Sequence, residues 1–255
     1  RMMLLNSGYS HGGASYAKKS MIGWRSGTTD ADEDIVDNIE TLRERSRMLF
    51  MTAPIATGAL KTIRTNVVGS GLSLNAQVDS RFLGLSDEEA REWEANAERE
   101  WRLWAESVAC DAERRQNFYQ LQSLVVLSTL MSGDCFVVMP MIRRAGSIYD
   151  MRVGIIEADR VCNPLSQNIV GKNVLGGVEV GKYGDAVAVY VANKHPRAIP
   201  RALEAASVKW TRVPIFGERT GRRNVLHVMT DVERPAQRRG VPILAPVIEE
   251  LKQLK

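Results

Sequence analysis

The apolar residues of this chain change their prevailing spacing at Gly133, and that change limits the fold more than any other feature. Before it they recur every three or four residues, as on one face of a helix. After it they alternate, as in strands half buried in a sheet. Helices gathered in one part of the sequence and strands in the next argue against the βαβ alternation of a parallel sheet. They point to an α+β fold, with N-terminal helices, a mostly antiparallel β region and a final helix. No internal repeat is visible.

From Asp30 onward, Ile35, Ile39, Leu42 and Leu49 share a stripe. Asp32, Glu33 and Asp34 occupy the first turn, where the helix dipole favours anions. Pro54 suits the first position of a second helix, expected to bury Ile55, Ala59, Ile63 and Val67. Gly69-Ser70-Gly71 stops it, and Leu72 to Val78 alternates like a short strand. Ser86-Asp87-Glu88-Glu89 is a capping box. The helix it opens carries Trp93, Ala97, Trp101, Trp104 and Val108 on one stripe, expected to dock on a core or a subunit contact. A further helix runs from Gln116 to about Met131. Strands are expected at Cys135 to Met141 and Met151 to Glu157, joined by a turn at Arg144-Ala145-Gly146-Ser147. Others are expected at Val174–Val180, Ala186–Val191, Val208–Phe216 and Asn224–Met229.

The domain layout that follows is an extended Gly- and Ser-rich arm over 1–29, an α+β body over 30–240, and a terminal helix over 241–255. Val247, Ile248, Leu251 and Leu254 keep helical spacing, and no Gly, Asn or Pro closes the pattern. With Arg1 in first place, this leads us to expect a piece of a longer polypeptide whose last helix continues.

Catalytic chemistry is sparse. Gly8-Tyr9-Ser10-His11-Gly12 matches the nucleophile-elbow pattern but has no sheet ahead of it to hold Ser10; it leaves a serine hydrolase as an alternative reading. Gly177-Val178-Glu179-Val180-Gly181-Lys182 is one residue short of a phosphate loop, with Tyr183 where Ser or Thr would hold Mg²⁺; hairpin turn chemistry explains it better. Glu250-Leu251-Lys252 with Asp231 resembles a nuclease acid-x-Lys element, but on a helix. Cys110, Cys135 and Cys162 form neither a disulfide framework nor a CxxC pair, and they share no metal spacing with His195 or His227. His227 reads as a half-buried strand residue. No residues supply nucleophile, base and orienter together, so neither an enzyme nor a cofactor or metal is expected. No apolar run reaches the roughly 18–20 residues of a membrane span, so no membrane partner is expected either.

The net charge of +4 comes from 34 Lys and Arg against 30 Asp and Glu. It is concentrated: residues 201–255 hold eleven basic and six acidic residues. Arg222-Arg223 lies on a turn, and Arg238-Arg239 precedes Gly240-Val241-Pro242. Paired guanidinium groups fit phosphate, carboxylates of the same or a neighbouring subunit, or solvent. A basic nucleic-acid-binding module is therefore a second alternative.

Several stretches, in order, resemble one family. They are Gly12-Gly13-Ala14-Ser15 with Gly23-Trp24, and Leu42-Arg43-Glu44-Arg45-Ser46-Arg47 followed by Ala53-Pro54-Ile55-Ala56-Thr57-Gly58-Ala59. Thr65-Asn66-Val67-Val68-Gly69-Ser70-Gly71-Leu72 and Asn224-Val225-Leu226-His227 come next. Glu233-Arg234-Pro235-Ala236-Gln237-Arg238-Arg239-Gly240-Val241-Pro242 and Pro246-Val247-Ile248-Glu249-Glu250-Leu251 complete the set. The chain resembles phage portal proteins of the lambda type. The resemblance implies a homo-oligomeric ring, usually dodecameric, at one capsid vertex of the virion, assembled in the host cytoplasm. It implies as partners the major capsid protein and scaffold, the terminase large subunit, head-completion and tail-connector proteins, and double-stranded DNA held without sequence specificity. Catalysis is not implied. By the same resemblance the body is the wing, and 241–255 begins a long stem helix whose remainder, with clip and crown, lies elsewhere. Lys252 and Lys255 then become candidates for the DNA channel. Arg222, Arg223, Arg238 and Arg239 become candidates for a subunit interface or phosphate, with Arg238-Arg239 expected to pair across subunits.

Overall fold

A computed structural model describes residues 18–24, 27, 29–164, 173–197 and 208–254. The chain divides into two compact units, Arg1–Asp30 and Ala31–Lys255. In the first, among the described residues, a 3₁₀ turn spans Lys19–Met21. The Ser10 motif lies outside the described residues, as does Lys255.

The second unit begins with α1 (Ala31–Thr52) and α2 (Pro54–Val68). Ile39 and Leu49 of α1 are buried as expected, but Arg43 and Ser46 share their face. α2 is turned relative to its expected stripe. Ala56 and Leu60 are its best-buried residues, whereas Ile55 is 64% and Val67 53% exposed. The small Ala56 lets the helix approach closely, and Leu60 fills the space beside Leu49, Leu130 and Leu244.

Residues 72–78 form no strand. The backbone N–H groups of Leu72, Ala76 and Val78 donate to side-chain oxygens of Gln122, Glu98 and Glu94 at 2.8, 3.1 and 2.9 Å. Helical side chains thus take the place of a partner strand. A single turn, α3 (Ser80–Leu83), leads to α4 (Asp87–Ala105), opened by the expected Ser86–Glu89 capping box. A second capping box, Asn117 with Gln120, opens α5 (Phe118–Ser132).

Trp101, Trp104 and Phe118 meet with ring centroids 5.0–5.2 Å apart, and Trp104 Nε1 donates to the Met151 carbonyl at 3.0 Å. Trp93 departs from the expected stripe and is 55% exposed. Eleven residues before Trp104, it lies about 16 Å up the helix axis, past the reach of Phe118.

Two antiparallel sheets follow among the described residues. In the first, β1 (Asp134–Val138) is flanked by β2 (Gly154–Ile156) and by β7 (Val225–Met229), with Phe136 opposite Ile156 and His227. The second has the order β3-β4-β5-β6. Its strands are β3 (Val174–Leu175), β4 (Val178–Val180), β5 (Ala186–Ala192) and β6 (Trp210–Pro214). The strand expected over 174–180 is thus a hairpin. It reverses at Gly176-Gly177, both with positive φ, and a Cβ on Gly177 would stand 2.5 Å from the Cys162 backbone nitrogen. Phe136, Val161, Val178, Val189, Ile215 and Val225 fill the space between the sheets.

The last helix starts later than expected. Residues 241–244 are not helical, and after a 3₁₀ turn at Ala245–Val247 the helix α6 spans Ile248–Gln253. Pro246 lacks the N–H that a helix begun at Val241 would donate to the Pro242 carbonyl. Leu244, Ile248 and Leu251 fasten this segment to the cluster around Leu60.

Candidate functional site

Asp134, the first residue of β1, is fully buried and surrounded by donors. Arg43 Nη2 donates to its Oδ1 at 2.7 Å, and Arg239 donates through Nε at 2.6 Å and Nη2 at 3.1 Å. Gly240 N and His227 Nε2 each stand 3.1 Å from Oδ2. Burial alone would raise the Asp134 pKa. The charges of Arg239 and Arg43, with the bonds from His227 and Arg239, outweigh it and hold the group far below the usual carboxylate range. Arg43 is pushed down to about 10 by its own burial and by the charge of Arg239, and stays protonated at neutral pH.

The two arginines also donate to backbone carbonyls. Arg43 Nε donates to the Ser132 carbonyl at 2.8 Å. Arg239 donates to the carbonyls of Ala158, Val161 and Gly176 at 2.8, 2.6 and 2.5 Å, with its guanidinium 5.2 Å from the Phe136 ring centre. Asp159 adds a second carboxylate. It contacts Arg47, Arg43 at 3.5 Å and His195 at 3.5 Å, and sits below its ordinary pKa because Arg47 and Arg43 outweigh its burial. One cluster therefore joins α1, the start of β1, the β3–β4 hairpin, β7 and the segment entering α6.

Backbone reinforces the joint. Gly133 and Gly240 cross so closely that a Cβ on either would stand 2.0–2.2 Å from the other's carbonyl oxygen. Gly133 also has φ of +88°, which ends α5 and turns the chain into β1.

The arginine pairs separate in the structure. Arg239 is 2% exposed and spends its donors inside its own chain, so an interface or phosphate role does not describe it; the buried carboxylate and three backbone carbonyls draw it inward. Arg238 contacts Asp32 of the same chain through both side chain and backbone, rather than waiting for a neighbour. Arg223 is exposed and lies 4.8 Å over the Phe216 ring. Arg222 lines an apolar cleft of about 410 Å³ between the ends of the two sheets, where its Nη1 meets the Met141 sulfur. Its Nη2 is buried with no hydrogen-bond partner. Lys252 is exposed on α6.

His227 is half-buried on β7, stacked on Phe136 at 4.1 Å. Among the described residues, no group of three or more His, Cys, Asp or Glu is placed to hold a metal ion, and no helix is long and apolar enough to cross a membrane. Arg43, Asp134 and Asp159 escaped the sequence reading. The available signal was an arginine on the Ile39–Leu49 stripe and an acid opening an otherwise apolar strand.

Compared with known proteins, the chain matches the phage portal proteins of the lambda family over residues 17–255. It is 27% identical to portal protein B of Escherichia phage lambda and 26% identical to the portal protein of Escherichia phage N15. Each comparison covers 97% of this chain and 45% of the relative. A probable portal protein of a Halomonas phage, phiHAP-1, is 25% identical over 218 residues, or 85% of this chain and 39% of the relative. The class is that of a phage structural protein found in the virion. The chain belongs to the lambda family of phage portal proteins. It spans about half the length of the curated relatives it matches.

Proposed function

We propose that this chain is the wing part of a portal subunit that assembles into a ring at one capsid vertex, through which double-stranded DNA is packaged and ejected. The observation that carries the reading is the family match over residues 17–255, together with relatives named as portal proteins. The full-length ring would meet capsid protein and scaffold during assembly, then the terminase large subunit, then head-completion and connector proteins.

The charge distribution supports a conduit that does not read sequence. Each phosphate neutralised by a fixed cation strengthens a salt-dependent grip, which would resist translocation. A net charge of +4, with Arg239 and Arg43 consumed internally, leaves a mixed surface. In this reading Lys252, and with it Lys255, approaches the DNA path, and Arg222 and Arg223 face a neighbouring subunit. The joint around Asp134 gives the wing a rigid connection to α6, the start of the stem in this reading.

Mass photometry and negative-stain microscopy of the full-length polypeptide test the proposal. The expected result is a ring with a central hole; a strictly monomeric protein overturns it. Salt-steep DNA affinity in a monomer would favour the basic-module alternative instead.

A further inference from the structure

Two surfaces of the second unit are each left incomplete, and they complement one another. The first is a knob. Phe82 is 86% and Leu83 55% exposed on the single turn α3. The turn is firmly built: Asp79 Oδ1 accepts from Phe82 N at 3.0 Å, Leu85 N donates to Ser80 O at 2.8 Å, and Gly84 closes it with φ of 69°. A rigid turn that presents a phenylalanine to solvent exposes apolar area with no gain within the chain. Asp79, Asp87 and Glu88, all exposed, stand around it.

The second surface is the cleft at Arg222. Val138, Ile156, Val191 and Val213 make its walls apolar, and its volume of about 410 Å³ has room for an aromatic side chain. At its lining sits the Arg222 Nη2, buried without an acceptor. A buried guanidinium nitrogen lacking a partner is unfavourable until an anion reaches it. Arg160 also lines the cleft, and Arg219 and Arg223 flank Arg222 on the β6–β7 connection.

An apolar knob on α3, with Asp79, Asp87 and Glu88 as well as Arg81 near it, and an apolar cleft edged by arginines at the ends of the sheets are unlike surfaces that complement one another, as the two halves of a head-to-tail contact do. Unlike halves propagate from copy to copy and close into a ring when the rotation allows. We propose that Phe82 of one copy seats in the Arg222 cleft of the next, with Asp87 or Glu88 beside it accepting from Arg222. This rests on the ring reading above and adds to it the faces that meet.

The test uses the full-length protein. Phe82→Asp changes an exposed side chain, so the thermal midpoint of the unassembled protein should stay at the wild-type value. The concentration at half-assembly should rise about tenfold or more, as expected when a central apolar anchor is lost. In parallel, a photoreactive benzoylphenylalanine at position 82, in a mixture of isotope-labelled and unlabelled protein, should cross-link to residues 138–141 or 211–213 of a different copy. Wild-type assembly of Phe82→Asp overturns the contact, as does a cross-link to the same copy or to any other surface. A wild-type protein that never assembles sinks the ring reading itself, which distinguishes the two failures.

Discussion

Helix α1 is held in two ways along its length. Near its end Leu49 packs with Ala53, Ala56, Leu60, Leu130 and Leu244, an apolar contact shared among α1, α2, α5 and the segment before α6. At its middle Arg43 enters a polar interior where Asp134 and Arg239 complete one another. The apolar contact is divisible: each methyl group removed costs its own area and cavity. The charged joint is not divisible, because removing one member leaves the others buried without compensation.

The largest expected effect separates the two. Asp134→Ala should cost about 3–5 kcal/mol in urea unfolding, enough to unfold much of the protein, since it strands Arg43 and Arg239 together. Replacing Arg43, Asp134 and Arg239 at once by Met, Leu and Met should not restore stability, because Arg239 also satisfies three carbonyl oxygens. Full recovery would show the joint to be a simple ion triad. Leu60→Ala should cost about 2–4 kcal/mol, with the unfolding slope unchanged. A larger loss than for Asp134→Ala would reverse the ranking.

Acid sharpens the contrast further. Asp134 and Asp159 have folded pKa values below their ordinary ones, so the unfolded chain binds protons more readily. Their stabilisation is complete above the ordinary carboxylate value, near pH 4, and is lost as pH falls below it. The acid limb of the stability curve should flatten in Asp134→Asn, whereas Leu60→Ala should lower the whole curve in parallel. At the small end, Ile55→Ser on the outer face of α2 should change monomer stability by no more than about 0.5 kcal/mol. Thiol labelling gives a similar graded readout. Burial pushes Cys110 up to about 11 and Cys135 up to about 12, so Cys162, only partly buried, should react first.

The same contrast explains what the sequence revealed. Capping at Ser86, the helix stop at Gly133 and the alternation after it were readable because they act locally. α2 was read one position out of phase, because which of several apolar stripes faces inward depends on what α5 presents. The run at 72–78 has strand-like alternation, yet its partners are side chains fifteen or more residues away. The charged joint was least readable. An arginine or aspartate is ordinarily a surface residue, and only the three-dimensional meeting of α1, β1 and the segment before α6 turns these into interior ones. Arg239 was noticed for its charge and expected at an interface; nothing in the local sequence distinguishes it from Arg238.

The order in which a ribosome makes this chain gives the joint a further consequence. Asp134 meets Arg43 across 91 positions and Arg239 across 105. During synthesis the carboxylate emerges with one counter-charge already made and the second still to come. Until residue 239 clears the exit tunnel, burying Asp134 means burying it with Arg43 alone, without the donors that Arg239 supplies to its carboxylate and to the nearby carbonyls. The nascent helices can form early, but the β region has reason to stay loosely packed until the last stretch arrives. Arg239 thus ties the close packing of the β region to a residue made 105 positions after Asp134.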